Sequence, residues 1–250
     1  MRHARPLRAN SSVRETTSAK RTAAAVANAG ARDAANPFEC AAVAERYEEW
    51  YSAEGRRADA LEKELLGKLL RSFPRARSIL EIGCGTGHFT RWFAEQGFDA
   101  VGMDISEPML GTARRLGGAR YVQADALALP MADRSHDLTA MITTLEFLPD
   151  PEGGLAEAVR VARHGVLLGV LNRWSILALR YRASGTELWR SARFFGISEL
   201  LRLVRAAAGR RAKSLAWRTT LWPIPGLHDL PLPWGGFVGL AMKLREEPSA

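Results

Sequence analysis

The sequence predicts an α/β fold in which a parallel sheet is covered by helices on both faces. From Pro37 onward, short apolar segments alternate with segments of helical periodicity, as in repeated strand–helix units. A glycine-rich turn follows the first apolar strand, and the second strand ends at an acidic residue, Asp104. Both features are typical of a ligand site at the carboxyl edge of a parallel sheet.

Composition and charge define the organisation of the chain. The 250 residues are 47% apolar and 25% charged, which suits one sizeable core or two small ones and excludes a rod or wholesale disorder. The net charge is +8, and residues 1–36 hold seven Lys or Arg against two acidic residues, a balance of +5. We therefore predict a disordered basic arm over residues 1–36 and one domain over 37–250. An idle extension is the simplest role for the arm, with a transit peptide or nucleic-acid tail as alternatives.

The cysteines and the apolar runs restrict the class of protein further. Cys40 and Cys84 are too few for a disulfide framework or a four-thiolate metal site, so we expect no metal and a cytoplasmic location. No run of 18 apolar residues occurs, so we expect no membrane span.

The domain is expected to begin with cap helices within residues 37–72. A helix is predicted over 41–51, and a second over 57–70, where leucines recur at helical spacing before Pro74 ends the segment.

Strands and helices then alternate up to residue 171. Ser106 and Asp150, each followed by a proline within two residues, are typical helix starts. The second of these helices should run to His164. Five buried strands are expected at 78–82, 100–104, 121–123, 138–142 and 166–171.

The last third of the chain differs in composition and holds five of the seven tryptophans. A helix is predicted over 198–208, followed by strands at 213–220 and 236–244 with a proline-rich insertion between them.

The most informative segment is ILEIGCGTGHFT, which joins the first strand to a helix. Gly83, Gly85 and Gly87 allow a sharp turn and close approach of a ligand to the backbone. The third glycine comes one position earlier than in a dinucleotide-binding fingerprint, which favours a nucleoside ligand without a pyrophosphate.

Two aspartates follow the next strands. Asp104 is placed to accept hydrogen bonds from ribose hydroxyls, and Asp125 from an adenine amino group. The alternative is that both only cap loops.

Four segments together carry a family resemblance: LEIGCGTGHFT, VGMDIS, QADALALPMADRSHDLTAM and LEFLPDPEGGLAEAVRVARHG. They resemble successive motifs of class I S-adenosylmethionine-dependent methyltransferases, of the small-molecule type that includes the ubiquinone and menaquinone biosynthesis enzymes. The resemblance covers about residues 45–171. It implies S-adenosylmethionine as cofactor and a Rossmann-like, doubly wound sheet of seven strands, mostly parallel with an antiparallel last strand.

The resemblance also implies positions for the cofactor. The loop residues would line its methionine part, Asp104 its ribose, Ile105 and Ala126 its adenine, and Thr143 would lie below the sulfonium. The full set of cofactor-binding residues is Glu81, Gly83, Cys84, Gly85, Gly87, Asp104, Ile105, Asp125, Ala126 and Thr143, with Tyr47, Trp50 and Tyr51 as an aromatic lid. Core packing is the alternative role of the lid residues.

Methyl transfer from a sulfonium is an in-line displacement, so positioning and exclusion of water are the main tasks and no catalytic side chain is required. Glu146 and His88 are the candidate bases. A hydrogen-bonding carboxylate is the alternative for Glu146, and a helix start for His88.

We expect a small-molecule acceptor that is aromatic, quinone-like or lipid-like, recognised by the cap helices and by residues 172–235. Trp189, Arg190 and Arg193 suit a flat or apolar molecule with an anionic handle. Alternatives are transfer to tRNA or rRNA, suggested by the basic residues of 202–213, and a cofactor-binding scaffold without activity. A nucleic-acid partner is the less favoured prediction, and the sequence does not address the oligomeric state.

Overall fold

The computed structural model describes residues 37–39, 47–49, 51, 55–185, 187–222, 224, 226 and 229–245. The predicted basic arm over residues 1–36, most of the predicted helix over 41–51, Cys40 and Trp50 lie outside the described residues. Within the described part, residues 47–49 and 51 are helical, and a 3-10 turn spans Pro37–Glu39.

The strands join into one seven-stranded sheet. Its members are β1 (Ser78–Ile82), β2 (Asp99–Asp104), β3 (Arg120–Gln123), β4 (His136–Ile142), β5 (Ala162–Leu171), β6 (Ala212–Thr220) and β7 (Phe237–Leu244). The strand order is β3-β2-β1-β4-β5-β7-β6. Strands β1 to β5 pair in parallel, and β7 runs antiparallel to both of its neighbours. The predicted mostly parallel sheet with an antiparallel last strand is therefore confirmed.

Helices cover both faces of this sheet. They are α1 (Arg56–Leu70), α2 (His88–Glu95), α3 (Glu107–Leu116), α4 (Pro151–Val161), α5 (Ile176–Ser184), α6 (Glu187–Ser191) and α7 (Ile197–Ala208). One apolar cluster packs α4 and α7 against the sheet, and a second packs α1 and α2 with aromatic side chains of the last third of the chain. Burial of each large apolar side chain contributes about 1.5–3 kcal/mol.

The predicted helix starts agree with the capping hydrogen bonds. The Ser106 hydroxyl accepts from the Met109 N–H at 3.3 Å, and the Asp150 carboxylate accepts from the Gly153 N–H at 3.0 Å. Each cap satisfies a backbone donor that the first helical turn leaves open.

Two local expectations were wrong. Helix α4 ends at Val161 and the chain enters β5 at Ala162 without a loop, so His164 lies in a strand. Helix α5 was not expected, because Ile176 and Leu179 point to solvent, with 48% and 62% of their surface exposed, and leave no one-sided apolar stripe. Among the described residues, no helix has the length and apolarity required to cross a membrane.

Candidate functional site

The site lies where the sheet reverses its winding. From β1 the chain passes to β2 on one side, whereas β4 pairs with β1 on the other. Ligands of open α/β sheets bind at the carboxyl ends of the strands at such a reversal. Most of the residues that the sequence singled out for a cofactor lie at the carboxyl ends of β1 and β2 or in the segments that follow β1 to β4.

The glycine loop follows β1, and all three of its glycines have positive φ, at 72°, 53° and 77°. A Cβ on Gly83 would overlap the Thr144 side chain, and one on Gly87 would lie 2.5 Å from Tyr121 Oη. A Cβ on Gly85 would meet only Tyr47 Cε1, at 3.9 Å. Two of the glycines therefore make room for other parts of the protein, and Gly85 is the one with the least crowded Cβ position.

This difference gives a prediction for Gly87→Ala. We expect the free energy of unfolding to fall by about 3 kcal/mol, because a left-handed backbone and a steric overlap each cost about 1–3 kcal/mol. Urea unfolding of the unliganded chain would measure the loss.

Gly97→Ala is the matched control, because Gly97 has a φ of 88° but nothing within 4 Å of its would-be Cβ. It should lose only the backbone contribution, about 1 kcal/mol. Equal losses in the two variants would contradict the proposed contact with Tyr121.

Asp104 holds the end of β2 against this loop. Its Oδ2 accepts from the Gly85 N–H at 2.7 Å and its Oδ1 from the Ser106 N–H at 2.8 Å. The Met103 carbonyl accepts from the Gly83 and Cys84 N–H groups at 2.7 and 2.8 Å. The aspartate and the glycine loop, separate in sequence, are thus in direct contact. Burial raises the pKa of Asp104.

The end of β3 lies beside the end of β2. The Ala124 N–H donates to the Asp104 carbonyl at 2.9 Å, and the Gln123 side-chain amide donates to the Ile105 carbonyl at 3.0 Å. The Asp125 carboxylate accepts from the Leu127 N–H at 2.9 Å within its own turn. Ala126, the next residue, is partly exposed. The side chain of Ile105 is 52% exposed, which leaves an apolar surface at this edge.

The side chains of Glu81, near the end of β1, and Cys84, in the glycine loop, are both buried. Glu81 accepts a short hydrogen bond from the Thr90 hydroxyl, and burial raises its pKa to about 8. The Cys84 thiol points toward Gly102 of β2, and burial raises its pKa well above the usual value. A buried neutral thiol is a poor nucleophile, so Cys84 serves packing.

The helical residues 47–49 and 51 are fastened to the loop. Glu48 accepts from the Thr86 hydroxyl at 2.5 Å and from the Arg91 guanidinium at 3.0 Å. The ring of Tyr51 stacks on His88, with centroids 3.7 Å apart, and Tyr47 packs edge-on against Tyr51. The two predicted lid tyrosines therefore lie beside the glycine loop. Desolvation raises the pKa of Tyr47 to about 12.

His88 is already engaged by charged neighbours. Its Nε2 lies 2.7 Å from Asp59 Oδ1 and 2.8 Å from Lys63 Nζ. These contacts support the structural role that the sequence left open for this histidine.

The segment after β4 contains Thr143 and Glu146. Thr143 has a φ of 52°, and its N–H donates to the Gly169 carbonyl at 2.7 Å. Glu146 Oε1 accepts from the Leu171 N–H at 2.6 Å, whereas its buried Oε2 has no hydrogen-bond partner among the residues described. Burial raises the pKa of Glu146 to about 8. Glu146 thus ties the segment to β5 and keeps one oxygen available.

Sequence reasoning missed two acidic residues near the site, Glu48 and Glu62. Nothing in the sequence pattern marked Glu48. Glu62 precedes Leu65 and Leu66 by three and four residues, so it occupies the buried face of α1, and that position was a usable signal. Its side chain is 6% exposed.

The residues that the structure brings together fit a sulfonium nucleoside. The Cβ position of Gly85 is uncrowded, and the Asp104 oxygens retain lone pairs beyond their two backbone bonds.

Comparisons with known proteins agree with this geometry. A family model of the methyltransferase domain matches residues 80–170. The chain is 31% identical over 182 residues to malonyl-[acyl-carrier protein] O-methyltransferase of Salmonella typhimurium, which covers 72% of this chain and 69% of that protein. It is 37% identical over 106 residues to ubiquinone biosynthesis O-methyltransferase of Methylococcus capsulatus, covering 39% and 44%.

A solved structure is similar over most of the domain. The crystal structure of a methyltransferase from Thermotoga maritima, described as a possible histamine N-methyltransferase, superposes with a TM-score of 0.68 and 29% identity, covering 80% of this chain and 94% of that one. The shared fold, the domain match and the identity to a named relative over two thirds of its length agree. The chain therefore belongs to the class I S-adenosylmethionine-dependent methyltransferases.

Proposed function

We propose that this methyltransferase acts on a small molecule with an aromatic, quinone-like or lipid-like skeleton. The observation that carries the proposal is a continuous wall of aromatic rings beside the glycine loop. We call it the aromatic wall: Tyr47, Phe38, Phe147, Trp189 and Tyr181. Its ring centroids are separated in turn by 6.3, 4.9, 6.4 and 4.1 Å. Such a wall suits a compact apolar acceptor.

The wall draws on the two regions that the sequence assigned to acceptor recognition. Tyr47 and Phe38 come from residues 37–72, and Tyr181 and Trp189 from residues 172–235. Phe147 lies between them, next to Glu146. We propose that these two regions together enclose the acceptor above the cofactor loop.

For the cofactor we propose the roles that the sequence suggested. Asp104 holds the ribose, Asp125, Ala126 and Ile105 border the adenine, and the glycine loop with Glu81 and Thr143 borders the methionine part. When bound, the cofactor supplies a methyl group on a positively charged sulfur, and transfer joins that carbon to the acceptor while the carbon–sulfur bond breaks and its electron pair stays on sulfur.

The task of the protein is then to align the acceptor and to exclude water. Correct alignment can contribute about 7–11 kcal/mol to the lowering of the barrier. Tyr47 connects the two halves of the site, because it packs over Gly85 and also belongs to the aromatic wall.

Trp189→Ala tests the acceptor pocket. Transfer of a tritiated methyl group to a panel of phenols, quinols, arylalkylamines and fatty acids should show a KM raised about tenfold or more for the best acceptor, because an aromatic contact is lost. Affinity for S-adenosylmethionine, measured by calorimetry, should stay within about twofold.

Leu116→Ala is the control, because Leu116 lies outside both acceptor regions and 47% of its surface is exposed. It should change neither quantity. Methyl incorporation into bulk tRNA or rRNA that falls steeply between about 50 and 200 mM salt would instead support the RNA alternative. Cofactor binding without transfer to any acceptor would support the scaffold alternative.

A further inference from the structure

Two buried carboxyl groups lie beside the aromatic wall. Glu62 comes from α1 and Glu146 from the turn after β4, and they are only 6% and 1% exposed. Burial, followed by the negative charges of Asp59 and Glu146, raises the pKa of Glu62 to about 8. Glu146 Oε2 has no hydrogen-bond partner among the described residues.

Aromatic side chains neighbour both carboxyls. The charge of Glu62 acts on the hydroxyls of Tyr47, Tyr51 and Tyr181. Tyr181 stacks on Trp189 with ring planes 7° apart, and Trp189 packs against Phe147, the residue after Glu146. The two carboxyls are therefore neighbours of the aromatic wall.

Three of the basic side chains near the aromatic wall already have partners. Arg173 and Arg193 both pair with Glu199, at 2.8 and 2.7 Å. Lys63 is held by Asp59 at 2.9 Å and by His88 at 2.8 Å. The anionic handle that the sequence suggested for the acceptor is therefore not matched by Arg193, because its guanidinium is already paired with Glu199.

Buried carboxylates without a cation are unfavourable, and two that lie close together retain a proton between them. A ligand that brings a positive charge removes this penalty. Aromatic faces attract the same kind of ligand, because a cation is stabilised by the electron-rich face of a ring.

We propose that Glu62 and Glu146 bind the nitrogen of an amine acceptor carried on an aromatic or apolar skeleton. The inference rests on the proposed function above. The bound ammonium group donates hydrogen bonds to Glu62 and to Oε2 of Glu146. It then passes one proton to a carboxylate oxygen, which becomes a carboxylic acid, while the nitrogen keeps the electron pair of the broken N–H bond. The neutral amine is the form that can accept a methyl group.

Binding to the full chain tests this without turnover. With S-adenosylhomocysteine at saturation, calorimetry would compare benzylamine, 2-phenylethylamine and 3-phenylpropylamine with the alcohols and the carboxylates of the same skeletons. The best amine should bind about tenfold more tightly than its alcohol, since a charged hydrogen bond replaces a neutral one. Its carboxylate should not bind. An alcohol or carboxylate that binds as well as the amine, or three amines that do not bind, would overturn the inference.

Glu62→Gln and Glu146→Gln keep the shape of the side chain and remove its charge. Each should reduce the preference for amine over alcohol by about tenfold, with alcohol affinity unchanged. Glu64→Gln is the control, because Glu64 lies on the same helix with its side chain 47% exposed and paired with Lys68. Glu64→Gln should bind the amine over the alcohol with the same preference as the original chain. If Glu62→Gln and Glu146→Gln also keep that preference, the amine site is contradicted.

The same measurements separate this inference from the proposed function. If S-adenosylhomocysteine binds and the alcohols bind as well as the amines, the amine site is wrong while the small-molecule pocket stands. If S-adenosylhomocysteine binds, none of the amines, alcohols or carboxylates binds, and RNA is methylated, the proposed small-molecule function itself fails.

Discussion

Asp104→Ala should weaken the binding of S-adenosylmethionine by about ten- to a hundredfold. The carboxylate is the group that fastens the end of β2 to Gly85, and we propose that it also accepts hydrogen bonds from the ribose. Its loss removes a charge-assisted interaction of about 1.5–3 kcal/mol. Calorimetric titration of the purified chain with the cofactor measures the effect directly.

Asp99→Ala provides the control for this variant. Asp99 begins the same strand and is paired with Arg120 at 2.8 Å, in a contact where both side chains are about two-thirds exposed. Exposed ion pairs contribute little, so cofactor affinity should not change. Asp104→Asn, which keeps one acceptor oxygen, should fall between the alanine variant and the original chain. Unchanged affinity in Asp104→Ala would remove the basis of the site assignment.

The stability of the unliganded chain should fall as the pH rises from about 6.5 to 8. Burial raises the folded-state pKa of Glu62, Glu81 and Glu146 to about 8, against 4.5 for an exposed glutamate. In this window the unfolded chain has lost these protons while the folded chain still holds them. Each carboxyl therefore lowers the free energy of unfolding by about 1.4 kcal/mol per pH unit, and the loss is complete above the folded pKa.

Four groups with lowered pKa values affect stability outside that window. The pKa values of Asp59, Asp137 and Glu199 are lowered by their hydrogen bonds and cationic partners, so their contribution is lost only in acid. The pKa of His136 is lowered by burial, which raises stability with pH only up to about 6.5.

Urea unfolding at four pH values in this range would give the slope. Glu146→Gln should reduce it by about one proton, whereas Glu64→Gln should leave it unchanged. A stability that stays constant or increases from pH 6.5 to 8 would contradict the buried, protonated state of these carboxyls.

Much of this fold was predictable because local signals were strong. Strand β1 agreed at both ends with the expected range 78–82, since an apolar run is bounded there by Pro74 and by Gly83. The caps at Ser106 and Asp150 were also visible, because each lies just before a proline that fits only the first turn of a helix.

The acceptor side of the site was less predictable because it depends on tertiary contacts. The stacking of Tyr51 on His88 joins residues far apart in sequence, and no hydrophobic periodicity in the sequence predicts it. The arginines near Trp189 suggested an anionic handle on the acceptor, but Arg193 is paired with Glu199 on α7. Glu62 was hidden among leucines, where an acidic residue in an apolar stripe should have been weighed as a functional group.

The position of β7 between β5 and β6 affects the order of events during synthesis. Strands β1 to β5, which carry the glycine loop and Asp104, pair with one another without it. Strand β6 pairs only with β7 in the sheet, so a nascent chain that has not yet emerged past Phe237 leaves β6 without a partner and the edge of β5 open. Open edges pair readily with other chains. The interval before β7 inserts is thus the stage at which the growing polypeptide is most exposed to aggregation and most in need of a chaperone.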